Sequence, residues 1–137
     1  MRIVTSSWFE PIPETYQRIG ISRGVPRRYP AGYRRMPELA PGPWFKAVSE
    51  AEYNQRFSDQ LAMLDPRVVH AKIESLAGGK DAALLCYESP HDASAWCHRG
   101  HVSLWLKDTI GLDVPELGLE GAGVGRHHPK LSSLLTR

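Results

Sequence analysis

Three stretches of the chain have the apolar pattern of β-strands. The first covers residues 2–9 and is stopped by Pro11 and Pro13, and the second covers residues 17–22, where apolar and polar positions alternate. The third, residues 82–87, is a continuous apolar run, which is typical of a central strand buried on both faces. The pattern therefore predicts a sheet with the third stretch at its centre.

Helical periodicity appears in three further stretches. Ser49 and Glu52 form a capping-box pattern ahead of an apolar stripe, whose members are Tyr53, Phe57, Leu61 and Leu64. Asp65 and Pro66 begin a second helix that ends at Gly78, and a third helix is expected to begin between residues 92 and 97. The order of the elements predicts a small three-layer α/β domain, with a mostly parallel sheet flanked by helices. This order is strand, strand, long loop, two helices, strand and helix.

The remaining segments are rich in proline, glycine and charge. Residues 24–43 contain five prolines and three glycines, so a long Pro/Arg-rich loop is expected, and so long a connection is often a lid or a binding loop. Residues 114–117 fit a last short strand or a loop. Residues 1–118 are expected to form the core of one domain and residues 119–137 a flexible tail, with His127 and His128 exposed and a short helix near the end.

Composition narrows the classes of protein. The 137 residues suit one domain, and 42% hydrophobic with 23% charged residues indicates a folded protein rather than a disordered one. No apolar run reaches the roughly 18 residues needed to cross a bilayer, and the first residues lack the apolar centre of a signal peptide. We therefore expect a cytoplasmic protein without a membrane partner.

The positive charge is concentrated at one end. Residues 1–35 contain seven arginines and two glutamates, a net +5, while the whole chain carries +2. This segment favours a phosphate-bearing small molecule or nucleic acid as partner, and Tyr29 and Tyr33 would suit stacking on a base. A loop solvated by water is the simpler alternative. The residues 121–125, Gly-Ala-Gly-Val-Gly, do not stand between a strand and a helix, so no cofactor is expected, and homo-oligomer formation stays open.

Candidate chemistry gathers between the third strand and the third helix. Cys86 and Glu88 follow the strand, and Cys97, His98 and Arg99 would open the helix. Unpaired N–H groups at a helix start attract anions and favour a thiolate. We therefore predict Glu88, Cys97 and His98 as catalytic residues: an acid and base pair, and a nucleophile or orienting group. The anion would be held by the ligand-binding residues Ser22, Arg23, Arg27, Arg28, Cys86 and Arg99.

Simpler interpretations stay open for each of these residues. Cys86 suits a small core residue, Glu88 a helix cap or an arginine partner, and His98 a surface position in the first helical turn. The two thiols could also be joined in one disulfide. A metal site formed by Cys86, Cys97 and His101 is the rival hypothesis, although this spacing fits no standard structural zinc pattern.

The motifs in this order resemble the family called domain of unknown function 488. The resemblance covers roughly residues 1–110, and it rests on four pieces of sequence, which are residues 21–26, residues 64–66, the run from Gly79 through Glu88 to Arg99, and residues 105–106. It implies a small α/β fold and places the family's polar residues on Ser22, Arg23, Cys86, Glu88, Cys97, His98 and Arg99. The family name implies no activity.

The residues themselves suggest a small enzyme that acts on a nucleotide or a nucleobase-containing substrate. The alternative is a non-catalytic regulatory module that binds nucleotide or nucleic acid at the same place. A binding module needs a helix start and arginines but has no use for Glu88 beside His98, so this proton-transfer pair separates the two hypotheses.

Overall fold

An all-parallel sheet of four strands forms the centre of the protein in a computed structural model that describes residues 1–136. The strands are β1 (Ile3–Ser7), β2 (Tyr16–Gly20), β3 (Arg34–Arg35) and β4 (Asp81–Cys86), and their order across the sheet is β1, β4, β2, β3. The predicted α/β class with a parallel sheet is confirmed. As its apolar run indicated, β4 is a central strand.

Three helices accompany the sheet, at the positions that the sequence indicated. They are α1 (Glu50–Ala62), α2 (Pro66–Ala77) and α3 (His98–Ile110). The Ser49 side chain accepts a hydrogen bond from the Glu52 amide, and the Asp65 side chain accepts one from the Arg67 amide, so both predicted caps are formed. Gly111 ends α3 at φ +67°, a left-handed conformation that glycine adopts without strain.

The two faces of the sheet are covered by different kinds of structure. Ile3, Ile19 and Leu84 lie on one face in a core shared with side chains of α1, α2 and α3. On the opposite face, Val4, Leu85 and Trp8 pack against residues of the chain between β2 and β3, among them Tyr29 and Tyr33. The long Pro/Arg-rich loop therefore supplies the layer on this face.

That loop is more ordered than its composition suggested. It contains β3, which pairs with β2 at the edge of the sheet, and a 3-10 turn at Pro37–Leu39, and a second 3-10 turn, Pro43–Lys46, begins at its last residue. The Met36 amide donates to the Gly20 carbonyl, and Met36 and Leu39 are fully buried. Backbone pairing with β2 therefore orders a segment that has no apolar periodicity of its own.

The C-terminal segment is not the expected flexible tail. His128, Lys130 and Leu131 are buried, and the Lys130 ammonium donates to the carbonyls of Asp92 and Ala95 at 2.6 and 2.9 Å. In place of the short helix expected near the end there is one 3-10 turn, Ser133–Leu135. Residues 114–117 add no full strand, only an isolated parallel bridge between Thr5 and Glu116. Tertiary contacts, which leave no local pattern, hold this segment in place.

Within residues 1–136, none of the helices combines the length and the apolar character that crossing a lipid bilayer requires.

Candidate functional site

A cavity of about 660 Å³ opens at the carboxyl ends of β2 and β4, beside the start of α3. Ligands of parallel α/β sheets bind at this edge. Six of the predicted site residues border the cavity, namely Ser22, Arg23, Cys86, Glu88, Cys97 and His98. The cavity thus brings together residues that lie 76 positions apart in the chain.

A disulfide joins Cys86, the last residue of β4, to Cys97, the N-cap of α3. Both cysteines are buried, with exposed fractions of 1% and 3%. This bond is the bridge that the sequence left open as one alternative. In this state neither sulfur is a free thiol.

His98 lies beside the sulfur pair and is buried rather than on the surface of the helix. Its Nε2 is 2.6 Å from the Ile21 carbonyl, to which it donates, and its Nδ1 is 3.6 Å from the Cys97 sulfur. Burial lowers the pKa of His98 to about 4. The hydrogen bond with Ile21 acts in the opposite direction, and the positive charges of Arg99 and protonated His101 lower the pKa further. The ring is therefore neutral at pH 7, with an unprotonated Nδ1 facing sulfur.

Arg99 does not face the cavity, which contradicts its predicted role as an anion ligand. Its side chain is fully buried, and the guanidinium contacts both Glu116 carboxylate oxygens at 2.6–3.2 Å. It also donates to the Cys86 sulfur at 3.0 Å and to the Glu88 carbonyl at 2.8 Å. Arg99 turns inward because Glu116 supplies the counter-charge that a buried guanidinium needs.

Glu116 and His128 extend this buried network, and sequence reasoning missed both. Thr5 Oγ1 donates to Glu116 at 2.7 Å and contacts His128 Nε2 at 2.7 Å, while His128 Nδ1 accepts from the Lys130 amide. Burial, with the charges of Arg99 and Lys130, lowers the pKa of His128 to about 3. His128 is therefore neutral and internal, which corrects the expected exposed pair, whereas His127 is exposed.

The predicted anion ligands divide into two groups. Arg23 is exposed at the edge of the cavity, where its guanidinium donates to the Pro41 carbonyl at 3.2 Å. Ser22 also borders the cavity, but its hydroxyl already accepts from Trp8 Nε1 and donates to the Gly24 carbonyl. Arg27 and Arg28 are exposed and are not among the residues that line the cavity.

Aromatic side chains form a wall of the cavity that the sequence did not predict. The rings of Tyr53 and Trp96 meet edge to face at 4.8 Å between centroids, and Phe45 lies 5.9 Å from the Arg23 guanidinium carbon. Burial raises the pKa of Tyr53 well above its usual range, and the negative charge of Glu88 adds to this effect. Tyr53 belonged to a predicted helix stripe, and only the fold shows that it also borders the cavity.

In the rival hypothesis of a metal site, His98 takes the place of the predicted ligand His101. Ligand atoms of Cys86, Cys97 and His98 all lie within 4.8 Å of one another. His101 instead points to α1, where its Nε2 is 2.9 Å from the Ser58 hydroxyl, and burial lowers its pKa to about 4. The proposed set of Cys86, Cys97 and His101 is therefore not assembled, because the His101 ring contacts Ser58 on α1 instead of the sulfur pair.

Comparison with known proteins places the chain in one family. The model of DUF488-N3a, described as the active DUF488-N3 subclade, matches residues 5–109. No curated protein and no solved structure matches the chain. The matched residues include the disulfide and His98, while Glu116 and His128 lie beyond them. Because the match spans more than half of the sequence, the chain belongs to the DUF488-N3a family.

Proposed function

We propose that this protein is an enzyme that acts on a nucleotide or another nucleobase-containing substrate, bound in the cavity at the carboxyl end of the sheet. One observation carries the proposal. Cationic and aromatic side chains and the predicted catalytic residues Glu88, Cys97 and His98 border the same cavity of about 660 Å³. That volume is in the range of small-molecule sites. The description of the family's subclade as active supports only the part of this proposal that the protein is an enzyme.

The cationic side chains give the cavity a place for a phosphate. Arg23 and Lys46 border it and are exposed, and each has its charge within 6 Å of the Phe45 ring, at 5.9 and 5.4 Å. An arginine offers paired N–H groups that match phosphate oxygens, and a lysine adds a point charge. This part of the cavity accounts for an anionic group on the substrate.

The aromatic wall gives the cavity a place for a planar ring. Trp96 and Phe45 are only partly buried, so part of each ring surface is open to a ligand. Stacking of a base on an aromatic side chain contributes about 1–3 kcal/mol. Tyr53 holds the Trp96 ring in position through their edge-to-face contact. Base and phosphate together favour a nucleotide over a simple anion.

The reacting end of the substrate is proposed to face Glu88, Cys97 and His98. Both nitrogens of His98 are engaged, one with the Ile21 carbonyl and the other facing the Cys97 sulfur, so His98 is not paired with Glu88. We assign proton transfer with the substrate to Glu88, whose carboxylate is partly buried. This carboxylate lies near enough to Tyr53 for its negative charge to help raise the pKa of the Tyr53 hydroxyl. Cys97 and His98 are the other two residues that we propose to face the reacting atoms of the substrate.

The test compares Arg23→Ala with Arg27→Ala, a matched exposed arginine outside the cavity. Nucleotides and short oligonucleotides are screened by thermal shift and calorimetry, and products are followed by chromatography. We expect Arg23→Ala to weaken binding by about tenfold or more, the cost of a charged hydrogen bond, while Arg27→Ala binds like wild type. Equal binding by both variants would refute the cavity as the phosphate site.

Glu88→Gln separates an enzyme from a binding module, because the amide keeps the shape of the side chain but cannot take a proton. An enzyme should keep ligand affinity and lose turnover by about 100-fold or more, as expected for a general acid or base. If wild type forms no product from any ligand that it binds, the non-catalytic module is the correct function.

A further inference from the structure

We propose that Cys86, Cys97 and His98 of the reduced protein bind one zinc ion, and that the fourth coordination position of this ion opens into the cavity. Thiolates and a neutral imidazole are the ligands that zinc prefers, whereas magnesium and calcium prefer oxygen. The inference deepens the proposed function, and only the role of the ion in turnover rests on it. Metal binding itself is independent of any substrate.

The distances around the cluster suit a tetrahedral ion. Zinc bonds of about 2.3 Å to sulfur and about 2.1 Å to nitrogen at a tetrahedral angle place the two ligand atoms about 3.6 Å apart. Cys97 Sγ and His98 Nδ1 are 3.6 Å apart. The Cα atoms of Cys86 and Cys97 are 7.6 Å apart, so the backbone leaves room for an ion between the two side chains once their bond is broken.

The second nitrogen of His98 has the partner that a metal ligand requires. A ligating histidine typically donates its other N–H to a carboxylate or a backbone carbonyl, which fixes the tautomer and the ring orientation. His98 Nε2 is 2.6 Å from the Ile21 carbonyl, and Nδ1 therefore presents a lone pair towards sulfur. The ring is already oriented for coordination before any ion arrives.

The charges around the cluster also balance with zinc in place. Two thiolates neutralise the ion, and the Arg99 guanidinium, 3.0 Å from the Cys86 sulfur, is itself neutralised by Glu116. A hydrogen bond from Arg99 would stabilise a metal-bound thiolate at Cys86. Without this balance a buried divalent ion beside an arginine would be strongly unfavourable.

The disulfide and the zinc site are two alternative states of the same sulfurs. The Cys86–Cys97 bond is reduced to two thiols as a dithiol is oxidised to its own disulfide, or as a phosphine and water become a phosphine oxide. Zinc then displaces the two thiol protons into solvent and bonds to both sulfurs. Three protein ligands leave the fourth position to water or substrate, as in catalytic zinc sites, where the ion acts as a Lewis acid.

The experiment loads the full-length protein with zinc after reduction by a phosphine, and measures metal content by mass spectrometry after gel filtration. Cobalt replaces zinc in a second sample, because tetrahedral cobalt–thiolate sites have characteristic absorption. We expect one zinc per reduced chain and none in the oxidised protein. Cys97→Ser and His98→Gln should each lower zinc affinity by at least about 100-fold.

His101→Gln is the matched control, since it removes a second buried histidine of the same helix that contacts Ser58 and not the sulfurs. It should bind zinc like wild type. Absence of stoichiometric zinc from the reduced wild type, or zinc binding as tight as that of wild type by Cys97→Ser and His98→Gln, would overturn the proposal. Nucleotide binding that still depends on Arg23 in that case would leave the proposed function standing. If the reduced protein binds zinc but no nucleotide, the metal site stands and the proposed function fails.

Discussion

Arg99 is the residue that connects the interior of the protein with its cavity. Its guanidinium, with none of its surface exposed, is shared between Glu116, the Cys86 sulfur and the Glu88 carbonyl. A buried ion pair adds little net stability, yet removal of one partner leaves a charge without compensation. Arg99 therefore makes the position of Cys86 depend on a glutamate that is thirty residues away in sequence.

Glu116→Gln should lower the free energy of unfolding by about 3 kcal/mol or more, because Arg99 would keep its charge in the interior without a counter-ion. Glu120→Gln is the control, since Glu120 forms an exposed ion pair with Arg2, which should cost less than about 1 kcal/mol. Urea denaturation measures both. If both variants lose the same stability, the buried pair does not have the importance given to it here.

At the scale of elements, the start of α3 depends on the C-terminal segment. The Cys97 amide donates to the Lys130 carbonyl, and the Lys130 ammonium donates to two carbonyls of the loop between β4 and α3. The segment approaches the helix at Gly100, where an added Cβ would lie 2.4 Å from the Leu131 nitrogen. Only glycine permits this contact between helix and segment.

Gly100→Ala should therefore destabilise the protein by about 1–3 kcal/mol, although alanine is the better helix former, because backbone atoms of residues 130 and 131 must move. Gly121→Ala is the control, since an added Cβ there would meet nothing within 4 Å. Thermal and urea unfolding should show little change for Gly121→Ala. A Gly100→Ala variant as stable as wild type would show that the segment can move away without cost.

The elements that could be predicted are those whose own residues specify them. Capping residues and apolar stripes located α1 and α2, and the apolar run located β4. In contrast, β3 consists of two exposed arginines and exists because the backbone pairs with β2. The burial of His128 depends on Thr5 and Glu116, which are distant in sequence. Such contacts leave no local periodicity, and for this reason the inward position of Arg99 was missed as well.

At the scale of the whole molecule, three buried histidines are kept neutral. The pKa values of His98 and His101 are lowered to about 4 and that of His128 to about 3, chiefly by burial. In the unfolded chain each titrates near 6.5. Below pH 6.5 the unfolded chain therefore binds protons that the folded protein does not, so the stabilising contribution is complete above pH 6.5 and is lost as the pH falls towards 4 and 3.

His128→Gln should make the free energy of unfolding less dependent on pH between 6.5 and 4. Each such histidine contributes a slope of up to about 1.4 kcal/mol per pH unit, and the variant lacks one of them. His127→Gln, at the exposed neighbouring position, should retain the slope of wild type. Urea denaturation at several pH values gives the comparison. Equal slopes for the two variants would mean that His128 takes up a proton in the folded state.

The contact between Arg99 and Glu116 also determines how far this chain can be shortened. A fragment cut at residue 109, where the family match ends, would keep the disulfide and the cavity residues but would lack Glu116, His128 and Lys130. It would hold an arginine in its core with no carboxylate to meet it, and the loop before α3 would lose its lysine anchor. A shortened form of this protein should therefore extend at least to Ser132, whose hydroxyl accepts a hydrogen bond from the Asn54 side chain on α1.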